Sequence, residues 1–397
     1  MLKIKQSLPS FKTFTLLGLL FFLGYSLDTL VSPIYLKEFL KNDNVIGIYV
    51  SIRYLIMLIT CIYCAKLYTE FSKVRILLIT LFIRVLAMIG MGSSKYLIIY
   101  IPFDILDIIT YSISMIGLGL FIADLSTNKT LAKNEGKYYS ISNIGIFLGP
   151  IIGGIIAKEY GKGFAFFTAA GANALILIYL FVRCYFMDEG KIHHKKHENQ
   201  LEEMWKDSKV YFKNKDRVKA FLMSVGLHVW WGIAIYKSLT ILNKGFSAAT
   251  LGVVLGVSYL PLIINEIIVG KKVAKTGIAI FFSRGFLFCG ISAISFTLFD
   301  SMPFILLIMF MLSNIGASYV EPLQEIYLFK ACKVNEREKF LSLFNTAKSL
   351  GVMITPGLAS IFLTLGGYTT MWLSIAFIML LFALIATTIN EKEIRKS

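Results

Sequence analysis

Asp104 and Asp107 stand one helical turn apart in a run, residues 97–123, that is otherwise almost wholly apolar. With Tyr111 and Ser114 they follow spacings of 3, 4 and 3, which places all four on one face of a helix. Asp28 lies in a similar run, flanked by Tyr25, Ser32 and Tyr35 at the same spacings. A charge at the centre of a bilayer costs at least about 2.5–3.5 kcal/mol. These acids must therefore be paired, protonated or open to a water-filled cavity. Two carboxyls as close as Asp104 and Asp107 resist ionising together. Such a site gains and loses a proton readily and can exchange it for a cationic substrate. Asp28 also has a plainer reading, a fixed ion pair with Arg53, which falls at similar depth in the next run.

The second half of the chain carries its own intramembrane polar groups. Ser224, His228 and Trp231 share one helix face, with Lys237 further along. His228 is as readily a packed, hydrogen-bonded side chain as a proton relay. Lys237 and Lys348 either neutralise acids of the other half, bind anionic groups, or serve packing. Asn314, Ser318, Glu321 and Glu325 are spaced 4, 3 and 4. For Glu321 and Glu325 an inner gate paired with basic loops is the first expectation and a proton site the second. Tyr25, Tyr35, Tyr111 and Trp231 offer faces on which a flat or cationic substrate could stack, or simply pack between helices. Arg84 and Arg284 lie near enough to one membrane surface to reach it with their long side chains.

The frame that must position these groups is set by composition. The chain has 397 residues, 56% of them hydrophobic, with a mean hydropathy of +0.71. Soluble domains stop near half apolar, so the expectation is an all-α membrane protein. Twelve runs are long enough to cross, since a crossing helix needs about 20 apolar residues. They lie near 13–36, 45–66, 76–94, 97–123, 138–157, 163–186, 220–242, 248–270, 278–298, 303–328, 340–364 and 368–389. The net charge of +16 does not point to nucleic acid, because it is sorted by side. With the N-terminus in the cytoplasm, 29 lysines and arginines fall in cytoplasmic segments and six in external loops. That asymmetry places both termini inside, in a bacterial inner membrane. The opening run is too long for a signal peptide and lacks a small-residue cleavage site, so it reads as a retained first span. Cys61 and Cys64 read as small buried residues rather than a metal or redox pair.

Span 5 contains Gly145-Ile-Phe-Leu-Gly149-Pro150-Ile-Ile-Gly153-Gly154. Its glycines let a second backbone approach closely, and its proline removes a helix hydrogen bond. A weaker copy, Gly351 to Gly357 with Pro356, follows 206 residues later. The basic loop Ala65–Leu77 after span 2 recurs after span 8 at an offset of 205, in Gly270–Gly277. Two landmarks sharing one offset imply two six-helix bundles, residues 1–186 and 220–397, joined by a hydrophilic linker, 187–219. That linker holds His193, His194 and His197, read as solvated rather than metal-binding, and a stretch around Leu201, Trp205, Ser208 and Phe212 suited to the membrane surface.

These features together resemble the major facilitator superfamily over essentially the whole length. Lys66, Leu67, Lys73 and Arg75 fit the family signature between spans 2 and 3, although Ala65, Thr69 and Ser72 replace its glycine, aspartate and second glycine. Gly145, Gly149, Pro150, Gly153 and Gly154 match the span 5 motif in full, a motif the family associates with drug–proton antiporters. The resemblance implies a cavity lined by spans 1, 4, 7 and 10 and rocking surfaces on spans 2, 5, 8 and 11. Gating or motif roles are assigned to Lys73, Arg75, Asp124, Glu321, Glu325 and Pro356, alongside the span 5 glycines and Pro150. Independently, the polar stripes fall on spans 1, 4, 7 and 10.

The expected activity is proton-coupled export of a small amphipathic or cationic compound by alternating access, in a monomer. Proton-coupling and substrate-binding roles are assigned to Asp28, Arg53, Asp104, Asp107, Tyr25, Tyr111, His228, Trp231, Lys237, Asn314 and Lys348. The rivals are an importer or facilitator of a sugar, organic acid or amino acid, and a non-transporting sensor or scaffold. No phosphate-binding glycine loop or nucleophile–base constellation lies in the spans, so no cofactor, nucleic-acid partner or enzymatic reaction is expected.

Overall fold

The computed structural model describes residues 10–126, 131–184, 200–333 and 336–390. The His193, His194 and His197 cluster lies outside them. No strand occurs among the described residues, and eleven helical segments are long and apolar enough to cross a membrane. Six run unbroken through the first half: α1 (Phe11–Leu40), α2 (Asp43–Glu70), α3 (Lys73–Ser93), α4 (Leu97–Asp124), α5 (Leu131–Glu159) and α6 (Lys162–Cys184). The short α7 (Gln200–Phe212) follows within the polar linker.

The second half is built from interrupted helices. α8 (Lys215–Gly232) and α9 (Ala234–Asn243) share one span, as do α10 (Ala248–Ser258) and α11 (Leu260–Thr276). α12 (Ile278–Leu298) is continuous. The next span is divided among α13 (Pro303–Leu312), α14 (Ile315–Val320), a 3-10 turn at Glu321–Leu323 and α15 (Gln324–Lys330). α16 (Arg337–Thr387) is two crossing helices joined at Gly366 and Gly367. Gly367 has φ +71°, a conformation that costs glycine little and other residues much. With that break the eleven segments make the expected twelve crossings, and the protein is a multi-pass membrane protein.

Large apolar side chains cover the outer faces, among them Ile98, Phe304 and Leu365, each more than 70% exposed. A belt of this kind suits lipid rather than water. Two compact units are present: Met1–Phe39, Ile59–His197 and Phe246–Gly256 form one, and Leu40–Leu58, Glu198–Gly245 and Val257–Ser397 form the other.

Candidate functional site

In the first unit, α1, α3 and α4 bury charged side chains, and Asn173 of α6 reaches one of them. Asp28, Asp104 and Asp107 are all 1% exposed or less. Arg84 Nε on α3 donates to Asp107 Oδ1 at 3.1 Å, and its Nη1 donates to Asn173 Oδ1 at 3.2 Å. The guanidinium also lies over the rings of Phe21 and Tyr111, 4.5 and 5.0 Å from their centroids. This corrects the expectation that Arg84 reaches a membrane surface. Burial against an acid and two aromatic faces compensates the charge better than snorkelling does from this depth. Arg284, by contrast, is exposed. A helix-spacing rule finds the acids on α4 but cannot find a partner on α3.

Asp28 accepts from Ser32 Oγ at 3.1 Å, and Ser32 Oγ lies 2.9 Å from the Tyr100 hydroxyl. Tyr25 stacks on Tyr111 with centroids 4.4 Å apart. Two of the rings expected to receive a substrate thus lie against each other.

The span 5 glycines divide their contacts. Gly145, Gly149 and Gly153 face α1, where Ser26 Oγ donates to the Gly145 carbonyl at 2.9 Å. A Cβ on Gly145 would stand 2.6 Å from the Leu19 carbonyl oxygen. Gly154 faces α10 instead, where a Cβ would stand 2.6 Å from the Ala248 carbonyl oxygen and 3.1 Å from Gly252 Cα. The Pro150 carbonyl presses on Gly252 in the same contact. At one end of the unit Lys73 Nζ meets Asp124 Oδ2 at 2.6 Å, and Ser72 Oγ caps α3 at the Arg75 N–H. The basic loop is therefore latched to α4 by Asp124, although the signature's own acid is replaced by Thr69.

In the second unit Glu321 sits in the 3-10 turn that interrupts its span. Its Oε2 accepts from Trp231 Nε1 at 3.0 Å, and its Oε1 lies 3.5 Å from Gln324 Nε2. Gln324 in turn accepts from Ser224 at 2.9 Å. Trp231 stacks on Tyr259 at 5.8 Å, nearly parallel. Glu325 accepts from Lys348 Nζ at 2.8 Å. Two expectations are corrected here. Lys348 meets an acid of its own half, and the two glutamates find partners on α8 and α16 rather than in basic loops. His228 Nδ1 lies 2.8 Å from the Ser224 carbonyl, a helix-local bond.

Lys237 is 5% exposed. Its Nζ lies 3.0 Å from Ser313 Oγ, 3.3 Å from Asn314 Oδ1 and 4.1 Å from the centroid of the Trp230 ring. Asn314 also accepts from Trp230 Nε1 at 3.1 Å and donates to Ser258 Oγ at 3.1 Å. The Pro356 carbonyl accepts from Tyr236 Oη at 3.1 Å. Asp43, at the start of α2, accepts from Tyr368 Oη at 2.6 Å and Asn243 Nδ2 at 2.7 Å. Among the described residues no group of three or more His, Cys, Asp and Glu is placed to hold a metal ion.

Comparison with known proteins gives a consistent picture. The family model described as Major Facilitator Superfamily matches residues 14–300 and 229–396. Multidrug resistance protein 2 of Bacillus subtilis (strain 168) is 23% identical over 267 residues, 64% of this chain and 64% of that protein. The quinolone resistance protein NorA of Staphylococcus aureus is 28% identical over 159 residues, 40% of this chain and 41% of that protein. The matched part is thus less than two thirds of either relative's length. Among solved structures, a POT family transporter in complex with a thioalcohol-conjugated peptide superposes with a TM-score of 0.77 at 14% identity, covering 94% of each chain. The nucleoside transporter NupG does so at 0.76 and 13%, covering 95% of this chain and 98% of that one. At these identities the likeness is one of fold.

Proposed function

This chain belongs to the Major Facilitator Superfamily, and from that premise we propose that it exports a small amphipathic or cationic compound in exchange for protons. As a transporter of that family it takes small-molecule substrates. The moving bodies of the proposal are residues 1–186 and 220–397, with both termini on the cytoplasmic side of a bacterial inner membrane and a single chain as the working unit.

The observation that carries the reading is the setting of Glu321. Its carboxylate lies within a membrane span, at a helix break, and its hydrogen bonds come from an indole N–H and an amide. A carboxylate anchored by these neutral donors, beside the Lys348–Glu325 ion pair, keeps its proton exchangeable. A helix break also leaves backbone free to rearrange where such a site lines a cavity. Asp28 and Asp104 are proposed as proton sites of the first half. Asp107 is instead clasped by Arg84. The names of the two resistance proteins support drug-like cargo. Against an importer of anions stands the pairing of Lys348 with Glu325.

Direction is tested in everted membrane vesicles energised to be acidic inside. Export predicts uptake of a fluorescent lipophilic cation into these vesicles, collapsed by a protonophore. Uptake only in right-side-out vesicles would establish an importer instead.

A further inference from the structure

We propose that Lys237 is a further proton-carrying group of the transport cycle, held at the point where three interrupted helices meet. The inference rests on the proton-coupled reading above and adds to it a site of the opposite charge type in the second unit.

The place is specific. The first break separates α8 from α9 at Ile233, the second separates α10 from α11 at Tyr259, and the third separates α13 from α14 at Ser313 and Asn314. The Asn314 side chain ties all three: it accepts from Trp230 of α8 and Lys237 of α9, and donates to Ser258 of α10. An interrupted helix bends at its break, so a change of charge at this knot acts where the backbone yields.

The way the ammonium is held is equally specific. Lys73, Lys162, Lys244 and Lys348 each meet a carboxylate. Lys237, although buried, has none within ion-pair distance among the described residues; its partners are a hydroxyl, an amide oxygen and a ring face. Among the described residues, the titratable group that acts on it from the packed helices is the Cys289 thiol of α12. The neighbours it meets on α8 and at the α13–α14 break are Trp230, Ser313 and Asn314, none of which titrates in water's working range.

Neutral partners accommodate both forms of the amine. As ammonium, Nζ donates to Ser313 Oγ and Asn314 Oδ1 while the Ser313 hydroxyl donates to the Phe310 carbonyl at 2.7 Å. After the ammonium gives one proton to a water admitted at the breaks, the Ser313 hydroxyl turns to donate to the amine lone pair. The proton leaves as hydronium and is regained from the other side. A lysine locked to a carboxylate has no such alternative, and an arginine cannot release its proton at all.

Two readouts test this. In purified protein the ammonium over Trp230 makes the indole a reporter of its charge. Wild-type tryptophan emission is expected to show a pH-dependent step that is lost in Lys237→Arg, in Lys237→Met and in Trp230→Phe. In proteoliposomes, Lys237→Arg is expected to bind substrate and exchange it but to lose the pH dependence of flux. Lys237→Met, which keeps the volume without the charge, covers the case in which the arginine does not fit. An unchanged emission step in Lys237→Arg, or a wild-type pH profile in that variant, overturns the assignment and identifies a fixed structural or anion-binding charge. Wild-type flux that ignores the pH gradient overturns the transport reading and the coupling role with it. The emission step then still decides whether Lys237 titrates.

Discussion

Arg84 Nε stands 3.1 Å from Asp107 Oδ1, and both side chains are sealed from solvent. Removing one member of a buried pair leaves the other charge uncompensated, which costs about 3–5 kcal/mol. Arg84→Ala and Asp107→Ala are each expected to lower the thermal stability of the detergent-solubilised protein sharply. The double substitution Arg84→Met/Asp107→Leu, which removes both charges and fills the space, should recover most of that loss. Equal instability of single and double variants would mean that the pair contributes shape rather than charge compensation.

Gly154 and Gly252 put two backbones in contact, with Gly252 Cα 3.1 Å from where a Gly154 Cβ would stand. A leucine at Gly154 has no room while α5 and α10 stay together. Gly154→Leu is expected to abolish transport and to increase the labelling of a cysteine placed at position 248, because this contact can no longer form. Gly119, with nothing near its would-be Cβ, is the control, and Gly119→Ala should transport normally. Undiminished transport by Gly154→Leu would show that the contact does not form during the cycle.

Asp43, Asn243 and Tyr368 form a hydrogen-bonded clasp between the start of α2, the end of α9 and the second helix of α16. Tyr368→Phe removes the shortest bond and leaves the ring. If the clasp holds these ends together at the external face, Tyr368→Phe raises the rate at which an externally added thiol reagent reaches a cysteine at position 47. Asp43→Asn, which keeps an acceptor, should do so less. Equal labelling rates in the wild type and both variants would remove the clasp from the mechanism.

Much of the fold was legible because it is periodic. The twelve runs are helical among the described residues, and the repeat reappears in the contacts of its glycines. The repeat does so to the atom: a Cβ on Gly145 meets the Leu19 carbonyl at 2.6 Å, and one on Gly351 meets the Val225 carbonyl at 2.8 Å, each partner also 206 residues from its counterpart. What spacing could not show is which neighbour a polar side chain selects. The Arg84–Asp107, Lys348–Glu325 and Trp231–Glu321 contacts each join separate helices, and one-dimensional patterns carry no information on helix neighbours. The interruptions of α8–α9 and α13–α14 carry no periodic signal either. Neither Ile233 nor Asn314 is a glycine or proline, so neither announces a break. The indirect signal was the lysine itself: an ammonium placed in an apolar span needs acceptors, and an interrupted helix with polar side chains supplies them.

The most direct test of proton-coupled transport is the response of Glu321→Gln to an imposed pH gradient in proteoliposomes. Glutamine keeps an acceptor for the Trp231 indole but has no proton to exchange. The account predicts that the wild type accumulates a lipophilic cation against its gradient, whereas Glu321→Gln equilibrates it without accumulation and still performs substrate-for-substrate exchange. Accumulation by Glu321→Gln at the wild-type level would contradict it.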